Sequence, residues 1–198
     1  MDLQAEQWFP TTIWTTKLDD IDNDKLKSLA LDTMKNDQGV VKSNRNGWQS
    51  DGMDPGKHQE FGKLMDSITH KVNKASHQVG LGPLNLSNVW INVNGKGGYN
   101  QMHTHIRSMF SGVYYVSAKH GQGGFYFERN DGAEHFIKHP DPNCLTTFNV
   151  FSWIHPSETG KLIIFPSWLK HSVEPNNIDE YRISISFNYQ FPKGTNML

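Results

Sequence analysis

The chain has 198 residues, a formal net charge of −1, 36% hydrophobic and 20% charged residues, and a single cysteine, Cys144. That length suits one domain with an ordinary soluble composition and a core large enough to stand without disulfides. The near-neutral charge gives no electrostatic case for nucleic acid or a membrane surface, no apolar run nears the roughly 20 residues that span a bilayer, and one cysteine excludes an internal disulfide or a thiolate-cluster metal site.

The N-terminal stretch MDLQAEQWFP shows neither a basic n-region nor an apolar h-region, so a cytoplasmic protein is expected. Residues 11–17 (TTIWTTK) read as a short strand rich in β-branched and aromatic types. Asp22 or Asn23 can cap a helix running to about Asn36, with Leu26, Leu29, Ala30 and Met34 on one stripe. Residues 42–55, rich in Gly, Asn, Asp and Ser, read as an exposed loop. Trp48, preceded by Asn44, Arg45, Asn46 and Gly47, could make that loop a lid or leave it a plain surface loop. A second helix is expected over about 57–79, where Phe61, Leu64, Met65, Ile68, Val72, Ala75 and Val79 fall at helical spacing and are read as packing on a sheet.

From Leu86 onward the pattern turns to short β segments, near 88–94, 99–105, 110–117, 123–128, 145–150, 161–165, 169–174 and 181–191, separated by turn-rich pieces such as NGKGG, KHGQGG and PNNIDE. The expected organisation is a single domain over 1–198. Within it, 1–85 supplies an N-terminal strand and supporting helices and 86–191 a β core. Eight strands behind two helices suggest a mostly β (α+β) fold built on a double-sheet jelly roll, with helices bracing one outer face. The tail after Phe191 is short and polar.

Ten histidines are too many for one site. His58, His70 and His77 lie on the second helix and read as solvated; His120, His135, His139 and His155 sit in loop-like stretches. His103 and His105 differ, because two residues one apart on a strand project to the same face. His171 opens a late strand after the Pro166 break, and in a jelly roll a late strand lies beside an early one. The three imidazoles can then form a facial triad on a metal with open positions left for other ligands. In YRISISFNYQ, Arg182, Ser184, Ser186 and Asn188 share one face and Ile183, Ile185 and Phe187 the other. The planar fork of Arg182 suits bidentate grip on a carboxylate near the metal, with Ser184 adding a hydroxyl.

The segments NVWINVNGKGGYNQMHTHIRSMFSGVYYV and GKLIIFPSWLKHSVEPNNIDEYRISISFN resemble the H-x-H type of 2-oxoglutarate- and Fe(II)-dependent oxygenases, which are prolyl-hydroxylase-like. The resemblance covers about residues 86–190. It implies a double-stranded β-helix, cupin-like in architecture, and a reaction in which 2-oxoglutarate and O2 become succinate and CO2 while a second substrate, small molecule or peptide, is oxidised. By motif, His103 and His171 would be Fe(II) ligands, and Arg182 with Ser184 would hold the distal carboxylate of the cosubstrate. Tyr115, or Tyr114 in the other register, would join them, and Asn92 and Asn100 are candidate pocket groups. The wider superfamily carries H-x-D at the first two ligand positions. His105 stands where that aspartate would be, and Glu128 is a candidate carboxylate to take its place. Two alternatives stay open: a three-histidine dioxygenase that does not use 2-oxoglutarate, and a non-catalytic metal-binding β-sandwich.

Overall fold

A computed structural model describes residues 3–4, 8–133 and 142–195. Its elements are β1 (Trp14–Lys17), α1 (Asn23–Asn36), β2 (Asn44–Gln49), α2 (Gln59–Gln78), β3 (Asn85–His103), β4 (Phe110–Ser117), β5 (Gly124–Glu128), β6 (Ser152–Pro156), β7 (Lys161–Pro166), β8 (Lys170–Val173) and β9 (Arg182–Gln190). The strands form one curled antiparallel sheet in the order β1-β7-β4-β9-β3-β8-β5-β6, with β2 also on β3. Strand β3 creates the curl. Its first part pairs with β9 (Val89↔Phe187, Asn94↔Arg182) and its last part with β8 (Asn100↔Val173, His103↔His171). One strand thus belongs to both walls of a double-stranded β-helix, and the fold is mostly β with two flanking helices.

Both helices follow local chemistry. The Asp22 side chain accepts from the Lys25 N–H and caps α1, satisfying one orphan donor of the first turn. Helix α2 buries Phe61, Leu64, Met65, Ile68, Val72 and Ala75 on one stripe. These residues share a core with Leu26 and Ala30 of α1, Val89, Ile91 and Val93 of β3, and Ile183, Ile185, Phe187 and Tyr189 of β9. Fully burying each such aliphatic or aromatic side chain contributes about 1.5–3 kcal/mol. A second cluster, including Val113, Tyr115, Phe125, Phe127, Ile163 and Phe165, fills the space between the walls. Period-two alternation therefore separates two interiors: odd residues of β9 face the helices, and Arg182, Ser184, Ser186 and Asn188 face inward between the walls. No described helix is long and apolar enough to cross a membrane.

Several expected boundaries move. The segments 88–94 and 99–105 are one strand, because β2 pairs with β3 on both sides of Gly95–Gly98 (Gly47↔Asn94, Asn44↔Asn100) and holds it through a bulge. Residues 44–49 are thus a strand rather than part of a loop. Residues 145–150 are irregular backbone around a turn at 147–149, and the strand lies instead at Ser152–Pro156. Its SWIHP composition masks a ladder to β5 in which Phe127 faces Trp153 and Phe125 faces His155.

Candidate metal and cosubstrate site

His103 ends β3 and His171 lies directly opposite it on β8. His105 sits two residues past the strand end, on the connection to β4, held where its backbone N–H donates to the Ser167 carbonyl at 2.9 Å. It therefore reaches the site from a loop and not, as the strand reading had it, from the same strand face. The three ring centroids are 4.3, 4.9 and 5.1 Å apart. One nitrogen from each ring lies within 4.8 Å of the others. His103 Nδ1–H donates to the Gln101 carbonyl at 2.7 Å and His171 Nδ1–H to the Leu169 carbonyl at 2.8 Å. Such bonds fix tautomer and ring direction and leave Nε2 free to ligate. Burial lowers the pKa of all three, His105 to about 4, so at neutral pH each imidazole is the uncharged form that binds metal.

Behind the triad the inward faces of β3, β9 and β4 stack in register. Asn92 opposes Ser184, which opposes Tyr115, and Asn94 opposes Arg182. Tyr115 points inward, whereas Tyr114 points to the helices and donates to Asn23 Oδ1 at 3.0 Å. The Arg182 guanidinium is 1% exposed. It donates to the carbonyls of Gln122, Glu174 and Gly98, yet no carboxylate among the described residues lies within ion-pair distance. Tyr115 Oη, Asn94 Nδ2 and Asn92 Oδ1 are buried with no hydrogen-bond partner among the described residues. Each such orphan costs about 1–3 kcal/mol, and an unpaired buried cation costs more. Burial pushes the Tyr115 hydroxyl up to about 12, against the pull of Arg182, so it stays a neutral donor. A carboxylate at Tyr115 would supply the acceptor its hydroxyl lacks, close to the Arg182 charge; Asn92 Oδ1, an acceptor, calls for a water.

The chamber lined by Asn92, Asn94, Tyr115, Ser184 and the triad is narrow, about 30 Å³, and must widen to take a dicarboxylate. It adjoins an open cleft of about 510 Å³ that shares Trp90, His103 and His105 with it. Asn100, the other pocket candidate, lines the chamber while its amide donates to Ser43 Oγ at 3.2 Å.

Other candidates fall elsewhere. Glu128 ends β5 on the side away from Phe127 and pairs with Lys170 at 3.4 Å, so it is not part of the histidine cluster. Strand alternation turns it outward where Phe127 turns in. Trp48 bonds through Nε1 to the Asp37 carbonyl and does not cover the triad. From the 42–55 segment, read as either a lid or a plain surface loop, residues such as Lys42, Ser43, Gln49, Ser50 and Asp51 form one wall of the open cleft. His58, His70, His77 and His120 are exposed, the His155 ring lies edge-on to that of Phe127, diagonally across the ladder at 5.9 Å between centroids, and His135 and His139 lie outside the described residues. The sequence reading missed Asn94, the buried Ser111 and Ser167, and Asn88, exposed in the open cleft. The signal was available in NVWINVN, where Asn88, Trp90, Asn92 and Asn94 alternate with Val89, Ile91 and Val93.

A family model described as "Putative 2OG-Fe(II) oxygenase" matches residues 88–188. Among solved structures, the chain is similar to a Pseudomonas putida prolyl-4-hydroxylase (16% identity, 92% of this chain and 94% of that one, TM-score 0.62). It is also similar to a collagen prolyl hydroxylase of Paramecium bursaria Chlorella virus-1 in complex with 2-oxoglutarate (17%, 91% and 96%, TM-score 0.61). A third is an epimerase of nogalamycin biosynthesis, solved with Fe3+, α-ketoglutarate and a nogalamycin compound (13%, 95% and 88%, TM-score 0.67). At these identities the structural likeness shows the fold. No curated protein matches.

Proposed function

Because the chain belongs to the 2OG-Fe(II) oxygenase family, we propose that His103, His105 and His171 hold its Fe(II) and that Arg182, Tyr115 and Ser184 hold the distal carboxylate of 2-oxoglutarate. The enzyme couples decarboxylation of 2-oxoglutarate, with O2, to oxidation of a second substrate, and the products from the cosubstrate are succinate and CO2. Bound Fe(II) supplies the redox chemistry that joins these two halves. The observation that carries the assignment is Arg182, a buried residue with no ion pair among the described residues, on the same β9 face as the Ser184 that lines the chamber with three neutral imidazoles.

In this reading each residue has a stated task. His103 and His171 present Nε2, oriented by their bonds to Gln101 and Leu169. Arg182 supplies charge, with backbone carbonyls holding its fork in place. Tyr115 and Ser184 donate hydroxyl hydrogens to the same carboxylate, and Asn94 Nδ2 adds an amide donor. The second substrate, small molecule or peptide, enters through the cleft of about 510 Å³, whose lining reaches His103 and His105. Hydroxylation of a C–H bond at that mouth is the outcome the arrangement supports.

Anaerobic titration of the Fe(II)-loaded protein with 2-oxoglutarate should give the weak visible charge-transfer band of a chelated 2-oxo acid. Arg182→Ala should keep iron yet lose the band at cosubstrate concentrations that saturate the parent, a loss of at least about a hundredfold in affinity for a buried charge-assisted pair. Arg182→Lys checks that the change is not misfolding. Iron binding with no band in the parent would transfer the site to a three-histidine dioxygenase acting on a directly chelated substrate.

A further inference from the structure

The three histidines are not held alike. His103 and His171 each have a ring hydrogen bond to a carbonyl two residues back. The His105 ring has none among the described residues; its nearest ring contact outside the triad is Trp90, 5.7 Å centroid to centroid. It also lies on a connection that has left the sheet, next to Ile106, 86% exposed, and Arg107, a non-glycine residue at φ +69°. Left-handed backbone at such a residue is uncommon and strained. What fixes His105 is its N–H bond to the Ser167 carbonyl, with Ser167 N–H in turn donating to the Met109 carbonyl at 3.0 Å. Ser167 therefore grips both ends of the loop that carries the ligand.

Ser167 is itself hooked from β4, the strand paired with β7. Its hydroxyl lies 2.7 Å from Ser111 Oγ, Ser111 donates to Asn188 Oδ1 at 2.6 Å, and Asn188 Nδ2 donates to Asn88 Oδ1 at 2.9 Å. Since Ser111 gives its one hydrogen to Asn188, Ser167 must be the donor to Ser111. Ser111 and Ser167 are 1% exposed and Asn188 6%. The cosubstrate reading uses none of these groups, and an apolar row would pack there without desolvation cost. The row runs from the cleft, where Asn88 and Asn188 line the wall, to the residue that sets the His105 backbone.

We propose that Ser111 and Ser167 are positioning residues for His105, fixing through its backbone the one imidazole that has no ring hydrogen bond of its own, with Asn188 and Asn88 anchoring the row at the cleft. This rests on His105 being a metal ligand. Loss of an outer partner of a ligand lowers metal affinity by about 10–100-fold.

Co(II), whose visible spectrum reports coordination number, is the probe. His105→Ala should weaken Co(II) binding and alter the spectrum. Ser111→Ala should shift the spectrum in the same direction and weaken binding by about tenfold, with Ser167→Ala as the second variant. Ser111→Cys, which keeps a weak donor, should recover part of the loss. Ser76→Ala removes an equally buried hydroxyl bond, to the Gly82 carbonyl behind α2, and should leave affinity and spectrum unchanged whatever it does to melting temperature. A parental spectrum and affinity in both Ser111→Ala and Ser167→Ala would overturn the proposal, as would an equal change in Ser76→Ala. Should His105→Ala bind Co(II) like the parent, the ligand assignment itself fails, which is a separate result.

Discussion

At position 105 an imidazole stands where a carboxylate would cancel one charge of a divalent metal. With the three imidazoles as the proposed ligands, the centre would keep two positive charges, matched in number by the two negative charges of 2-oxoglutarate. Arg182 adds a third positive charge at the inner end. His103→Ala and His171→Ala should each abolish stoichiometric iron binding, read by metal analysis after desalting. His105→Asp should retain iron while weakening 2-oxoglutarate by about tenfold, because one unit of attracting charge is removed at close range; calorimetric titration of the two proteins decides it. At this scale the sequence was informative wherever alternation could be read. Arg182 and Ser184 fell on one face of YRISISFNYQ, and the structure turns that face inward. Asn88 and Asn94 fell within the expected 88–94 strand and on one face with Asn92, but the alternation does not say which face turns inward. That depends on register with β9, which no local signal contains.

Among the elements, β4 carries the tightest constraint. Gly112 lies between β7 and β9, where an added Cβ would stand 2.5 Å from the Ile163 carbonyl oxygen and collide with the Phe187 ring. Backbone cannot yield as a side chain can, so Gly112→Ala should destabilise by about 1–3 kcal/mol, measured as a lower midpoint of chemical denaturation with unchanged m-value. Helices α1 and α2 were legible because a capping aspartate and a 3.6-residue apolar stripe are local features. Strands β2 and β6 were not. NRNGWQ and SWIHP carry weak strand propensity and are strands because β3 and β5 offer edges to pair with. The Gly95–Gly98 stretch misled in the opposite sense: it looks like a hairpin turn, and only the pairing of β2 on both sides keeps it a bulge.

Over the whole molecule, helices and sheet share one hydrophobic cluster, in which Leu26 and Phe61 pack with Val89 and Phe187. Residues 1–85 therefore have no described core separate from that of 86–191. Metal and cosubstrate, bound to the folded state alone, should raise the melting temperature in a single transition. At a free concentration one hundred times the dissociation constant the gain is about 2.7 kcal/mol, or roughly 5–11 °C for a chain of this size. Two separated transitions in calorimetry would contradict a shared core. The jelly-roll class was readable from eight short strands after two helices, but its strand order was not, since the partners are distant in the chain.

That order bears on synthesis. Of the described strands β9 is the last to leave the ribosome, yet it lies between β4 and β3 near the centre of the sheet. Until it arrives, two long strands wait with unpaired edges, the condition under which nascent β proteins pair with the wrong neighbour. Arg182 opens that same strand. The closing step of assembly thus delivers the cation proposed to hold the cosubstrate, and a chain released before β9 would lack a central strand of the sheet and that charge together.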